Sequence, residues 1–401
     1  MPFLRGYRFE YHGADGPIED LPIPETLCVP MPGAEESYAR IAAQGDLVAA
    51  GQVLSAPKYA AAAHAPVSGV VEAVEFRQIP GCGHVWAAVL RREGSRAVRT
   101  KAVTGGGLEE RVLRAAAEAG IVDEITGRPL YQELYRLRRR EVSLLLACGI
   151  EDDPWCSSAR AVLRERLGDV GEGLRLAASF CGAEELGIAL STREEAAAYP
   201  GFRVETANAP YPAKAFLLRR LRKSGVSASL IGPQALAALC RAMKGEAQTF
   251  GVATVAGDAV RTAKNLRFPA GTSVRELLSR CGLSEDASLV YVGPAAQGSA
   301  VTDLDAPVPL HARCVTALLH PQRKRAVACI GCGRCARVCP QGILPWEIHE
   351  ALRKSSVDPF LLLGVQNCIN CAACTAVCPA GLPLSAEVAR AAAIKKSGDF
   401  F

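Results

Sequence analysis

The stretch Cys329-Ile-Gly-Cys332-Gly-Arg-Cys335-Ala-Arg-Val-Cys339-Pro340 decides how the last quarter of this chain folds. The same spacing returns in Cys368-Ile-Asn-Cys371-Ala-Ala-Cys374-Thr-Ala-Val-Cys378-Pro379. Each run follows the C-x2-C-x2-C-x3-C-P pattern, in which three close thiolates hold one [4Fe-4S] cube and the fourth holds the other. A zinc site usually takes its ligands as two separated pairs. The spacing therefore predicts two [4Fe-4S] clusters rather than zinc sites or disulfides.

The pattern also predicts that ligation crosses between the two runs. One cube is expected to be held by Cys329, Cys332, Cys335 and Cys378, and the other by Cys368, Cys371, Cys374 and Cys339. The other eight of the 16 cysteines are scattered along the chain. Two of them, Cys148 and Cys156, lie close in sequence and are either small buried side chains or a redox thiol pair.

Composition narrows the class of protein. A chain of 401 residues is expected to form roughly two to four domains. The net charge of +5, from 46 basic and 41 acidic residues, is too balanced to indicate a nucleic-acid partner. The chain shows no signal-peptide pattern and no apolar run near the roughly 18 residues of a membrane span. We therefore expect a protein of the reducing cytoplasm.

The patterns along the chain predict a multidomain α+β protein. Short apolar stretches between glycines and prolines from 26 to 100 indicate a small β-module. Helical and strand patterns then alternate, which favours a Rossmann-like α/β layer with a parallel sheet. The predicted helices are 108–119, 130–140, 159–178 and 214–223, and the predicted strands are 142–148 and 186–190. Residues 252–281 indicate a β-β-α unit with Thr272 or Ser273 as helix N-cap. Helices 346–352 and 385–394 are expected to flank the cysteine runs.

The order of these parts resembles a known family. Gly293-Pro294 followed by Thr302-Asp303-Leu304-Asp305-Ala306-Pro307 is a specific match to the RnfC-type subunits of the Rnf electron-transport complex. Relatives include the cobalamin reductase of propanediol microcompartments and the electron-transfer protein of proline reductase. The resemblance implies a barrel-sandwich β-module at 1–100, an α/β domain like the flavin subunit of complex I at 101–248, an SLBB β-grasp unit with a linker at 249–310, and a helical two-cluster ferredoxin-like domain at 311–401.

The resemblance also implies that the α/β domain binds FMN and takes a hydride from NADH, but the chain departs from the family there. Relatives carry a glycine-rich loop whose backbone N–H groups approach a phosphate. Here the stretch reads Gly120-Ile-Val-Asp123-Glu124-Ile-Thr-Gly127-Arg-Pro129, and Glu133 replaces an expected lysine. Two carboxylates where a phosphate belongs predict weak FMN binding or none.

A second family phrase is also altered. Relatives carry Asn-Gly-x-Glu-x-Glu-Pro-Tyr after a strand, and this chain has Cys148-Gly-Ile-Glu151-Asp-Asp153-Pro-Trp155. The position fits, because ligands bind beyond the carboxyl ends of parallel strands. Gly127, Glu151 and Asp153 are therefore the candidate residues of an eroded FMN and NADH site, and no catalytic residue is assigned.

Three functions follow from these patterns. The first is a relay that passes single electrons through two clusters to a partner reductase or a membrane complex. The second is an FMN-dependent NADH oxidoreductase subunit that feeds the clusters, and the third is a non-catalytic scaffold subunit. Peripheral association with the inner face of the cell membrane is compatible with all three. The basic helix 214–223, with Arg219, Arg220 and Arg222, is a candidate docking face for an acidic flavodoxin or ferredoxin.

Overall fold

The computed structural model describes residues 10–34, 39–99, 104–191, 197–207, 211–294, 297–320, 325–354 and 364–397. The chain forms two compact units. The larger takes residues 11–206 and 221–320, and the smaller takes residues 1–10, 207–220 and 321–401. Among the helices of the described ranges, none has both the length and the apolar character that a membrane crossing needs.

The larger unit begins with a small β-module, as the sequence predicts. A four-stranded sheet has the order β2-β7-β6-β3, and β4 pairs with β5 separately. The strands are β2 (Thr26–Pro30), β3 (Leu47–Val48), β4 (Val53–Ser55), β5 (Ala63–His64), β6 (Gly69–Ile79) and β7 (Gly83–Arg92). Leu27, Leu54, Val71 and Leu90 are fully buried between the strands and form the module's core.

A parallel sheet of four strands follows, in the order β10-β9-β8-β11. Its strands are β8 (Leu144–Cys148), β9 (Glu185–Leu190), β10 (Arg203–Thr206) and β11 (Ala228–Ile231). All three pairings are parallel, which confirms the predicted sheet. Every residue of β8 is buried, as expected for a central strand of a parallel sheet.

The helices of this layer are α1 (Leu108–Glu118), α2 (Leu130–Arg139), α3 (Ser158–Glu165), α4 (Leu167–Cys181) and α6 (Pro233–Ala242). The helix α5 (Ala213–Lys223) belongs to the smaller unit as far as residue 220. The prediction of one helix over 159–178 was wrong, because Arg166 leaves the helical conformation and separates α3 from α4. Gly173 lets α4 approach α6 closely, since a Cβ at this position would lie 1.9 Å from the Leu236 carbonyl oxygen. The apolar periodicity continues through Arg166, so the sequence pattern could not reveal the break between α3 and α4.

A six-stranded mixed sheet completes the larger unit, in the order β1-β13-β12-β16-β14-β15. Its strands are β1 (Ile18–Asp20), β12 (Phe250–Ala256), β13 (Lys264–Pro269), β14 (Leu289–Val292), β15 (Ser299–Ala300) and β16 (Cys314–Leu318). The helix α7 (Val274–Arg280) begins at Ser273, whose hydroxyl accepts a hydrogen bond from the Glu276 N–H in a capping box. The predicted β-β-α order is confirmed, with Ser273 as the N-cap.

Two strands of this sheet lie outside the predicted segment. β1 comes from the first 100 residues and pairs in parallel with β13. β16 pairs with both β12 and β14, so residues 314–318 belong to this sheet and not to the cluster-bearing segment assigned to 311–401. Both errors have one cause: a short apolar strand does not indicate its partner, and these partners lie far away in the chain.

The smaller unit is helical in its described residues. Its helices beyond α5 are α8 (Arg334–Val338), α9 (Pro345–Arg353), α10 (Ala373–Ala376) and α11 (Leu384–Ser397), and a 3-10 turn spans Val365–Asn367. The helices predicted at 346–352 and 385–394 are confirmed as α9 and α11. A small core of Ile343, Ile348, Val388 and Ala391 joins these two helices.

Candidate metal centres and candidate cofactor loop

The two cysteine runs form loops of the same design. In each, a short helix begins right after a residue with left-handed backbone, Gly333 (φ 67°) before α8 and Ala372 (φ 54°) before α10. The third cysteine of each run, Cys335 or Cys374, lies in that helix. A left-handed residue between turn and helix directs successive N–H groups into one concavity, which suits a negatively charged cluster.

Thiols of the two runs lie close together in two places. Cys339 of the first run lines one cavity together with Cys368, Cys371 and Cys374 of the second run. Cys378 of the second run and Cys335 of the first are buried in one small apolar core, against which Cys329 and Cys374 pack. Each group therefore draws thiols from both runs, although the identity of every ligand stays a prediction. Among the described residues, no three His, Cys, Asp or Glu side chains are arranged to hold a single metal ion.

The chemistry of these thiols fits iron–sulfur clusters. Soft thiolate sulfur is the ligand such clusters take in proteins. Burial raises the pKa of the Cys371 thiol to about 11 and that of Cys374 to about 12. Both thiols are therefore protonated at neutral pH in the metal-free chain, so cluster assembly has to release their protons.

Tyr211, just before α5, and Arg219, in the middle of α5, contact loops that line the cavity of Cys339 and the second run. The Tyr211 hydroxyl donates to the Cys371 carbonyl oxygen, and Arg219 Nη1 donates to the Pro340 carbonyl oxygen at 2.8 Å. Both acceptors lie in loops that line this cavity. Arg337 Nη2 makes the corresponding contact in the first run, at 3.0 Å from the Cys332 carbonyl oxygen.

The Arg219 contact changes the interpretation of the basic helix. We expected Arg219, Arg220 and Arg222 to form a docking face, but Arg219 is half-buried and bonded within its own unit. The sequence drew attention to Arg219 only because of its charge, and no sequence pattern indicated a role for Tyr211. Their role becomes visible only when α5 and the cysteine loops are seen together.

The candidate cofactor residues lie in two places. Glu151 and Asp153 share the loop after β8, as predicted, whereas Gly127 (φ 67°) lies in the turn that leads into α2. Glu151 accepts a hydrogen bond from the Ala159 N–H at 2.7 Å and pairs with the buried Arg313 at 3.3 Å. Asp153 accepts from the Trp155 N–H at 2.8 Å. Both carboxylates therefore accept hydrogen bonds from the chain itself, and Glu151 also forms an ion pair within it.

Asp123 and Glu124 occupy the N-terminus of α6. Asp123 Oδ1 accepts from the Gly232 N–H at 2.8 Å, and the Glu124 carboxylate accepts from the N–H groups of Gln234 (2.7 Å) and Ala235 (3.1 Å). The first N–H groups of a helix form a ready anion site. Here the chain's own carboxylates accept these N–H groups. The sequence predicted only that the carboxylates repel a phosphate, whereas the structure shows which donors they use.

The loop of Asp123 and Glu124 places acidic side chains in a buried environment. Asp123 is fully buried and Glu124 nearly so, and Glu133 is buried beside them with Arg136 as its partner at 2.9 Å. Burial, and then the neighbouring Asp123, raises the pKa of Glu124 to about 8. Burial also raises the pKa of Asp123. The pair therefore holds a proton near neutral pH in spite of the backbone donors.

A third buried thiol lies near Cys156. Cys148 Sγ approaches the Ile150 carbonyl oxygen at 3.9 Å, whereas Cys156 Sγ lies 3.4 Å from the Arg313 carbonyl oxygen, next to Cys314 in β16. The Ser157 N–H donates to Thr254 Oγ1 at 2.8 Å, and Thr254 pairs with Cys314. Cys314 is therefore a neighbour of Cys156, and a thiol pair of Cys148 and Cys156 stays a prediction.

Two family models match this chain. Residues 7–95 match the RnfC barrel sandwich hybrid domain, and residues 328–382 match the 4Fe-4S dicluster domain. The first agrees with the β-module and the second spans both cysteine runs. The chain therefore carries two [4Fe-4S] clusters in its cysteine-rich unit.

Curated relatives match over most of the chain. It is 28% identical to the C subunit of the ion-translocating oxidoreductase complex of Pseudomonas aeruginosa, over 83% of this chain and 47% of the relative. It is 26% identical to the corresponding protein of Rhodobacter capsulatus, over 92% of this chain and 77% of the relative. The C subunit of the proton-translocating ferredoxin:NAD(+) oxidoreductase complex of Clostridium ljungdahlii is 24% identical, over 83% and 79%. The chain thus spans about half of the first relative and about three quarters of the other two.

A solved structure of an NAD+-reducing [NiFe]-hydrogenase in the H2-reduced state superposes with a TM-score of 0.47 at 14% identity. The superposition covers 73% of this chain and 61% of the hydrogenase chain.

Proposed function

We propose that this chain is an RnfC-type subunit and that it relays single electrons through its clusters to a partner reductase or a membrane complex. One observation carries the proposal: Cys339 of the first run lines the same cavity as three thiols of the second. Two cubes held by interlocked loops lie close together, which suits one-electron transfer between them.

The chain's own residues would shape this relay. Each bound cluster accepts and returns one electron at a time, and its potential depends on burial and on nearby hydrogen bonds and charge. Ile330 and Ile369 occupy the same position in the two runs, right after the first cysteine, and are 68% and 42% exposed. These exposed apolar residues beside ligand cysteines offer a partner protein a contact surface close to each cube.

We extend the proposal to the remaining parts of the larger unit. The layer of β8–β11 would correspond to the flavin-subunit-like domain, and the six-stranded sheet with α7 to the SLBB unit. The sheet pairings support ending the last domain of this unit near 320 instead of 310. The relatives are subunits of ion-translocating complexes, so we propose peripheral association with such a complex at the cytoplasmic face of the membrane.

An NADH oxidoreductase subunit with bound FMN is the second candidate. The name of the Clostridium relative, a ferredoxin:NAD(+) oxidoreductase subunit, favours it. The contacts at α6 weigh against it, since Glu124 and Asp123 already accept the N–H bonds that a phosphate would need. We therefore expect electrons to arrive from another redox protein, not from NADH.

The test uses the anaerobically reconstituted protein. We expect about eight iron atoms per chain, cluster bleaching by dithionite, and reoxidation by an added ferredoxin or flavodoxin. NADH should leave the cluster absorbance unchanged, with or without added FMN. Fast bleaching by NADH with one bound flavin per chain would replace the relay by the NADH oxidoreductase, and clusters that cannot be reduced would favour a scaffold role.

A further inference from the structure

A polar cavity of about 440 Å³ lies in the larger unit, among residues that neither the cysteine runs nor the candidate cofactor loop includes. Four arginines line it: Arg99, Arg166, Arg241 and Arg267. The rest of the wall comes from the loop 245–249, from Phe250, and from Ala50, Gly51, Pro66 and Val98. A cavity of this size is large enough for a small ligand of nucleotide dimensions.

The cations in this cavity outnumber their counter-charges. Glu246 is the one acidic residue among the lining residues. Arg267 pairs with Asp20 at 3.0 Å and lies 3.8 Å from the centroid of the Phe250 ring. Arg241 lies 3.8 Å from Asp169, near the limit of an ion pair, and Arg166 and Arg99 form no ion pair within the described chain.

The crowding of these charges is unfavourable without an anion. Arg241 is half-buried and shares the cavity wall with Arg166 and Arg267, so its guanidinium loses water while facing two like charges. Burial lowers the pKa of Arg241, and Arg166 and Arg267 lower it further against the opposing effects of Asp169 and Glu246. A bound anion would relieve both costs.

We propose that this cavity binds a diphosphate group, with Arg166 and Arg241 as the principal donors and Arg99 at the rim. The planar fork of arginine donates two parallel hydrogen bonds to phosphate oxygens, so three or four guanidinium groups suit a ligand with several anionic oxygens. The diphosphate is either free or carried by a nucleotide, and the cavity volume admits both.

The test is titration calorimetry of the cluster-loaded protein under anaerobic conditions, with inorganic pyrophosphate and with ADP as probes. We expect saturable binding of one equivalent. Arg166→Gln and Arg241→Gln should each weaken it about tenfold or more, because each removes a charge-assisted hydrogen bond. The control is Arg139→Gln, which makes the same charge change at an exposed site at the end of α2 and should leave binding as it is.

The outcomes separate the alternatives. Tighter binding of ADP than of pyrophosphate would assign the site to a nucleotide, and equal affinities would assign it to the free anion. Arg241 is half-buried, so its variant could unfold; Arg166 is exposed, and its variant keeps the test decisive. The proposal is overturned if neither probe saturates, or if Arg166→Gln and Arg139→Gln bind alike.

Discussion

The cysteine-lined cavity of the smaller unit and the N-terminus of α6 in the larger unit differ in which groups the chain presents there. In the first, Cys339 and the thiols of the second run surround a cavity. In the second, Asp123 and Glu124 already accept the N–H groups of Gly232, Gln234 and Ala235. The comparison teaches that a chain can keep the scaffold of an anion site while one loop supplies the anion from within.

The largest expected effect tests the cysteine-lined cavity. Cys339→Ser should remove the cube held by the second run, so that iron falls from about eight to about four atoms per chain. Cys374→Ser should remove the same cube, and Cys335→Ser the other. Iron analysis with EPR of the reduced protein measures this, and Cys281→Ser, at a buried cysteine outside both runs, is the control. If Cys339→Ser and Cys335→Ser abolish the same EPR signal, ligation does not cross.

The next effect tests the filled helix terminus through pH. The folded-state pKa of Glu124 is about 8, above its ordinary value of 4.5, so the folded protein retains a proton that the unfolded chain releases between these pH values. Stability should therefore fall as pH rises towards about 8, by a few kcal/mol at most. Glu124→Gln should flatten this dependence.

The measurement is the thermal midpoint of the cluster-loaded protein at pH 6 and pH 9. The wild-type midpoint should fall more between these values than that of Glu124→Gln. Glu285→Gln, at an exposed site, provides the matched control and should behave like the wild type. Asp123, Glu133 and Arg136 are unchanged in the variant, so equal slopes in wild type and Glu124→Gln would remove Glu124 as the origin of the pH dependence.

The smallest effect compares the two cubes with each other. Arg219→Gln removes a positive charge that donates to the Pro340 carbonyl oxygen, so the cube of the second run should become harder to reduce by some tens of millivolts. Arg337→Gln is the matched change in the first run. Redox titration followed by EPR should show each variant shifting a different cube. A shift of both cubes in each variant would mean that the charges act at long range and not through these loops.

The sequence predicted the features that depend on residues close together in the chain. The two cysteine runs, α1, α2, the capping box at Ser273 and the parallel strands β8 and β9 all depend on neighbours within a few turns of chain. It could not predict contacts between distant segments, because those depend on which strands and loops meet in the fold. Glu124 bonds to Gln234 110 residues away, and Cys156 reaches the Arg313 carbonyl 157 residues away.

The candidate site shows the same limit. Glu151 and Asp153 were found in the expected loop, but the sequence could not show that Arg313 and the Ala159 N–H already use Glu151. The sequence alone showed that Asp123 and Glu124 depart from the family pattern, because they place two acidic residues in a loop that is glycine-rich in relatives. The sequence did not show that α6 is their partner, because α6, with Gly232 as its N-cap and Pro233 as its first residue, carries no anion-binding motif of its own.

The contact between Gly232 and Glu124 couples the two positions to each other. A Cβ on residue 232 would lie 2.0 Å from the Glu124 carboxyl carbon, so that position is confined to glycine while Glu124 stays. Loss of Glu124 alone would strand two buried N–H donors before any ligand had arrived to use them. A phosphate could replace the Glu124 carboxylate here only if both donors found a new acceptor at the same time, whereas the cysteine loops depend on backbone geometry at Gly333 and Ala372 as well as on their thiols.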